Sequence, residues 1–160
     1  MVIWLLGISG AGKTTLGKML KEEYDKRGMQ SFIIDGDIVR NFYDNDLGYS
    51  KEDRISNIKR IMLGAYLLEQ NGIVAIVCNI SPFESLREFA RKKFDNYIEI
   101  YLKRDISSID NKKQVYDSKN VVGVDLEFEI PQKSSLVIDT TQQTKEESLL
   151  EIIGYLDANK

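Results

Sequence analysis

The stretch Gly7-Ile8-Ser9-Gly10-Ala11-Gly12-Lys13-Thr14-Thr15 directly follows the apolar run Val2-Ile3-Trp4-Leu5-Leu6 and opens a helical pattern. Strand, glycine-rich turn and helix in that order predict a phosphate-binding loop. The spacing G-x-x-x-x-G-K-T lets the backbone turn tightly enough for successive N–H groups to converge on phosphate oxygens, and the helix start adds its positive dipole end. Gly7, Ser9, Gly10, Ala11, Gly12, Lys13, Thr14 and Thr15 are therefore the expected cradle of a nucleoside triphosphate. Lys13 is placed to bridge the β- and γ-phosphates, and the Thr14 hydroxyl to ligate Mg²⁺, the two charges that phosphoryl transfer needs.

Outward from this loop, five short runs rich in Val, Ile, Leu and aromatic residues alternate with helical stretches: Val2–Leu6, Ser31–Ile34, Ile73–Cys78, Tyr97–Leu102 and Ser135–Ile138. Strands apolar on both faces and separated by helices predict a parallel sheet covered on both sides, an α/β fold of three layers. A first helix is expected from Lys13 to Arg27, with Gly28 as its left-handed cap. Ile55, Ile58, Met62, Ala65 and Leu68 recur at the three-or-four spacing of a buried stripe, which predicts a helix over 51–70. Thr144 with Glu147 makes a capping box ahead of Leu149, Ile152, Ile153 and Leu156. Residues 105–131 are polar and weakly periodic, as a lid over a site is expected to be.

Composition narrows the chemistry. A chain of 160 residues with 42% hydrophobic content suits one domain, residues 1–160. The net charge of −3 offers no global field for nucleic acid or acidic lipid, so any anion must be held by local positive groups. One cysteine, Cys78, rules out an internal disulfide and suits a reducing compartment. No run is long enough for a signal core or a membrane span, and the expected location is the cytoplasm. The chain contains no histidine, so a proton acceptor must be a carboxylate or the substrate itself.

Two carboxylates, Asp35 and Asp37, follow the second strand in Asp35-Gly36-Asp37-Ile38-Val39-Arg40, at the edge where ligands of parallel sheets bind. They can supply a metal ligand and a base for an acceptor hydroxyl. Further on, Arg54 and Asn57 lie three apart in a helical stretch, where a guanidinium fork suits a phosphate-like anion and an amide suits a ribose or base edge.

Taken together, GISGAGKTT, DGDIVR, DLGYSKEDRISNIKR, ISPF and NVVGVD fall in an order and spacing that resembles the adenylylsulfate kinase family, over nearly the whole chain. The resemblance implies a P-loop kinase fold with strand order 2-3-1-4-5, ATP and Mg²⁺ as cofactors, and transfer of the γ-phosphoryl group to the ribose 3′-hydroxyl of adenosine 5′-phosphosulfate. It implies that Lys13, Asp35 and Asp37 are catalytic and that Thr14 and Asp35 face the metal. Asp37, Arg40, Tyr49, Arg54, Asn57, Asn79, Ile80, Ser81, Lys113 and Val121 become the candidates for the acceptor nucleotide, with Lys112 an alternative to Lys113. Pro82 completes the loop after the third strand, and Arg87 stands on the helix that follows. A homodimer is left open.

The departures from the family pattern fall on the acceptor side. Family members hold the acceptor's adenine between two aromatic rings; Tyr49 keeps the first, but Val121 stands at the second, and one base–aromatic stack is worth roughly 1–3 kcal/mol. The lid is shortened by about two helical turns. Asn79 is polar where an apolar residue is usual, and Ile38 replaces an asparagine. A branch of similar kinases acts on a cytidine nucleotide carrying a phosphoramidate, and these departures suit that smaller base. A GTPase would need N-K-x-D, but Asn111-Lys112-Lys113-Gln114 ends in Gln. A sugar or shikimate kinase shares the loop but not the DLGYS to NIKR segment. A nucleotide-binding remnant without activity is disfavoured by the intact Lys13, Thr14, Asp35 and Asp37.

Overall fold

The computed structural model describes residues 1–109 and 121–159. In chain order the elements are β1 (Val2–Leu6), α1 (Lys13–Lys26), β2 (Ser31–Asp35), α2 (Gly36–Phe42), α3 (Lys51–Gln70), β3 (Val74–Cys78), α4 (Glu84–Lys93), β4 (Tyr97–Lys103), β5 (Leu136–Asp139) and α5 (Lys145–Ala158). The five strands form one parallel sheet in the order β2-β3-β1-β4-β5. Every strand lies within a residue or so of its sequence-based position, and α3 spans the expected range.

β1 sits between β3 and β4, so both its edges and both its faces are covered, and all five of its residues are buried. Alternate residues feed two cores. Ile3 and Leu5 pack with Leu16 and Leu20 of α1 and with Ile152 and Leu156 of α5. Val2, Trp4 and Leu6 pack with Ile58, Ile61, Met62 and Ala65 of α3 and with Leu86 and Ala90 of α4. The period-two alternation of a strand thus divides one apolar run between two helical layers. This burial, at about 25 cal/mol per Å² of apolar surface, is the main driving force for the sandwich.

Side chains fix where the helices begin. The Ser50 side chain accepts from the Asp53 N–H at the start of α3. Thr144 and Glu147 form the anticipated capping box at α5. α1 closes one residue early, at Lys26, and Gly28 follows at φ 68° with its N–H donating to the Asp25 carbonyl. The sequence pattern did not reveal α2, which at seven residues is too short to show a period.

Of the segment 105–131, the described parts are a single 3₁₀ turn at Ile106–Ser108 and an irregular return from residue 121 that carries one bridge, Val122 to Leu126. Lys112 and Lys113 lie outside the described residues. Among the described residues, no helix is long and apolar enough to cross a membrane.

Candidate active site

β1 neighbours β3 on one side and β4 on the other, so the crevice at its carboxyl end falls where the direction of chain winding reverses. The loop 7–12 fills that crevice. Its first glycine allows a close approach, because a Cβ at Gly7 would run into the Leu102 carbonyl oxygen of β4. Gly10 and Gly12 take φ of 80° and 94°, a left-handed backbone that favours glycine and turns the following amides inward. The Gly7 N–H is not part of the cradle, since it donates to the Ile80 carbonyl at 3.4 Å.

The Lys13 ammonium donates to the carbonyls of Gly7 at 2.9 Å and Ile8 at 2.7 Å, which pins it across the loop. Burial lowers its pKa from 10.5 to about 8, against the opposing pull of Cys78, Asp35 and Asp37. The Thr14 hydroxyl donates to Asp35 Oδ2 at 2.8 Å, so hydroxyl and carboxylate meet at the foot of the loop. Asp35 Oδ1 accepts from the Asp37 N–H at 2.9 Å and thereby caps α2. Neither carboxylate oxygen of Asp35 is idle. Asp37, one turn into the site, is exposed to the cavity.

A single cavity of about 680 Å³ runs from this cradle to the acceptor candidates. Its walls include Ser9, Gly10, Gly12, Lys13, Thr14 and Thr15 at one end, Asp35 and Asp37 in the middle, and Arg40, Tyr49, Arg54, Asn79, Ile80 and Val121 at the other. Arg40 is buried and donates to the Leu47 and Gly48 carbonyls, at 3.2 and 2.6 Å, which shapes the loop carrying Tyr49. The guanidinium carbons of Arg40 and Arg54 lie 4.5 and 5.3 Å from the Tyr49 ring centroid, within cation–π range. Arg54 also donates to the Tyr49 carbonyl, and burial together with the neighbouring Arg40 lowers its pKa. Two guanidiniums crowded in one wall favour an anionic guest.

Some sequence candidates stand behind this wall rather than in it. Gly7 and Ala11 are buried loop backbone, and Ser81 is buried with its hydroxyl accepting from Trp4 Nε1 at 2.8 Å and Asn79 Nδ2 at 3.0 Å. Asn57 is 2% exposed and donates from Nδ2 to the Gly36 carbonyl at 3.2 Å, holding the first turn of α2 from the rear. Arg54 and Asn57 lie three apart on α3, but only Arg54 lines the cavity; the one sixth of a turn between them puts Asn57 beneath the surface. Arg87 is likewise buried and does not line the cavity. Conversely, the sequence reading passed over Cys78 and Val122, both of which line it. Cys78 is an inert wall, its thiol pushed up to about 12 by burial and by Asp35.

A parallel sheet of this order, with the cradle on its central strand and two carboxylates on the next crossover, defines a P-loop kinase. A family model described as Adenylylsulphate kinase matches residues 1–139. The chain is 33% identical over 170 residues to adenylyl-sulfate kinase of Staphylococcus carnosus, covering 100% of this chain and 85% of that protein. It is 37% identical over 164 residues to probable bifunctional SAT/APS kinase 2 of Sorangium cellulosum, covering 98% of this chain but only 28% of that longer protein. The solved APS kinase CysC of Mycobacterium tuberculosis, in complex with AMPPNP and APS, superposes with a TM-score of 0.88 at 24% identity, over 98% of this chain and 96% of that one, which bears on the fold alone. The chain belongs to the adenylylsulphate kinase family. It is an ATP-dependent phosphotransferase that acts on a hydroxyl group.

Proposed function

We propose that this single-domain kinase, residues 1–160, transfers the γ-phosphoryl group of ATP to the ribose 3′-hydroxyl of adenosine 5′-phosphosulfate, giving ADP and 3′-phosphoadenosine 5′-phosphosulfate, in the cytoplasm. The observation that carries the reading is the continuity of one cavity from the phosphate cradle, past Asp35 and Asp37, to the wall of Arg40, Tyr49 and Arg54. Donor and acceptor thus meet at the two carboxylates.

Ser9 to Thr15 frame the triphosphate, through main-chain amides other than that of Ala11, which donates to the Ile8 carbonyl at 3.2 Å, and Lys13 sets its ammonium against the β- and γ-oxygens. Thr14 and Asp35 fit Mg²⁺, because a hydroxyl and a carboxylate 2.8 Å apart are hard oxygen donors and this ion takes few protein ligands beside water and phosphate. Bound there, the ion supplies charge neutralisation along the phosphates. Asp35 is committed to Thr14 and to the α2 cap, so Asp37 is the carboxylate left to orient the acceptor hydroxyl and take its proton as transfer proceeds. Arg40 and Arg54 hold the anionic end of the acceptor, while Tyr49 offers its ring to the base. Asn57 and Ser81 act from behind by fixing α2 and the loop after β3. Lys113 remains the proposed lid contact.

A second reading is favoured by one observation: Val121 is 7% exposed and lines the cavity where family resemblance expects an aromatic ring. With a single ring and the Asn79 amide in the wall, the acceptor would be a cytidine nucleotide bearing a phosphoramidate. ADP release measured with adenosine 5′-phosphosulfate and with cytidine diphosphate derivatives decides between the two. A large preference in kcat/KM for adenosine 5′-phosphosulfate supports the first, and the reverse preference replaces it. Elution of the pure protein at the size of two chains would test the homodimer.

A further inference from the structure

Arg87 is 1% exposed, a charged side chain that the cavity does not use. Its guanidinium instead spans two chain segments far apart in sequence. Nη1 donates to the Ser81 carbonyl at 2.7 Å, Nη2 donates to the Glu129 carbonyl at 2.6 Å, and Nε and Nη2 share Glu84 Oε2. The Glu129 N–H donates to the Pro82 carbonyl at 3.0 Å, and the Glu84 N–H donates to the Glu129 carboxylate. Six hydrogen bonds, two of which make up the Arg87–Glu84 ion pair, therefore converge where the loop after β3 meets the chain returning from residue 121.

Both segments are cavity walls. Asn79 and Ile80 belong to the first, Val121 and Val122 to the second. Ser81 takes φ 50°, a left-handed conformation that a residue with a side chain keeps only where its surroundings hold it. The first loop is also tied to the cradle, through the bond from the Gly7 N–H to the Ile80 carbonyl. We infer that Arg87 is a positioning residue: it fastens the loop 79–82 to the return segment 121–130 and so sets the spacing between the two walls that receive the acceptor. The inference rests on the reading of this end of the cavity as the acceptor site.

Arg87→Lys keeps the charge but replaces a rigid fork by a single ammonium, which cannot hold Ser81, Glu84 and Glu129 in one plane. The expected result is a rise of about tenfold in KM for adenosine 5′-phosphosulfate, as loss of one charge-assisted bond predicts, with KM for ATP changed by less than about twofold. Hydrogen–deuterium exchange of the unliganded protein should quicken together over 79–82 and 121–130 and stay unchanged over α1. A matched rise in both KM values, or faster exchange confined to α4, overturns the inference, as does a lowered melting temperature with both KM values intact. Should Arg87→Lys fail to fold, Glu129→Ala removes the carboxylate partner of Glu84 near the surface and is read by the same measurements. Should the wild type ignore adenosine 5′-phosphosulfate, the proposed acceptor falls, and the exchange pattern still decides the clamp.

Discussion

The two ends of the cavity are made of different material. The end proposed for the donor is main chain, a turn of amides between β1 and α1 with Lys13 as its one cation among the described residues, whereas the end proposed for the acceptor is a wall of side chains: Arg40, Tyr49, Arg54, Asn79 and Val121. Main-chain recognition reads a phosphate tail that every nucleoside triphosphate shares, and it tolerates little change, since any Cβ at Gly7 would run into the Leu102 carbonyl oxygen. Side-chain recognition reads what differs between acceptors, and it changes by single substitution. The contrast explains why the departures from the family pattern gather at one end only. On the proposed reading, the grip on the triphosphate lies in the loop backbone and Lys13, and choice of acceptor in residues 40–57, 79–82 and 121.

The sharpest way to break this division is Lys13→Ala. Loss of an ammonium placed against the transferring phosphate is expected to lower kcat for ADP release by about 10³-fold or more, whatever acceptor is supplied. Retention of more than a tenth of wild-type turnover would mean that the cradle is not the donor site. Arg54→Ala probes the other end. It is expected to raise the acceptor KM about ten- to a hundredfold, from the loss of a charge-assisted pair, while the affinity for ATP measured by calorimetry stays within about twofold. Equal loss for both ligands would erase the distinction between the ends.

What could be read in the sequence follows the same line. Glycine spacing spells the donor loop because each glycine answers a local backbone demand, such as φ of 80° at Gly10 and 94° at Gly12. Apolar periodicity spelled α3 because Ile58, Met62 and Ala65 all face one core. Arg87 was opaque for the opposite reason: its partners Ser81 and Glu129 meet only after the chain has folded, and no local pattern records a contact across 42 residues. The burial of Asn57 was not legible, since helical spacing gives the face of a residue and not what packs over it. Asp35 hid a second duty as the cap of a helix too short to show a period.

Val121→Phe sharpens the acceptor end by restoring the ring that family resemblance expects. Val121 lines the same cavity as Tyr49, so a ring at this position bears on the space the acceptor is proposed to fill. One base–aromatic stack is worth roughly 1–3 kcal/mol, so affinity for adenosine 5′-phosphosulfate is expected to rise about tenfold, with no change in ATP affinity. Equilibrium dialysis or calorimetry checks it. Weaker purine binding in the variant would show that the wall is fitted to a smaller base.

The smallest effect separates the ends by pH. Burial holds the Lys13 pKa at about 8, against 10.5 in an unfolded chain. Below pH 8 the ammonium is charged in both states and favours the triphosphate; as pH rises through 8 the free protein loses that charge first, so ATP affinity is expected to fall by up to about tenfold per pH unit. The sign for folding is the reverse. Between about pH 8 and 10.5 the unfolded state still binds this proton and the folded state does not, so the contribution of Lys13 to stability rises across that window while ATP affinity declines. ATP binding titrated from pH 7 to 9.5 should therefore bend near 8 in the wild type and lose that bend in Lys13→Arg, whose guanidinium stays charged. A bend of the same size in the arginine variant would assign the titration to another group, and the ammonium would no longer account for the donor end's grip on charge.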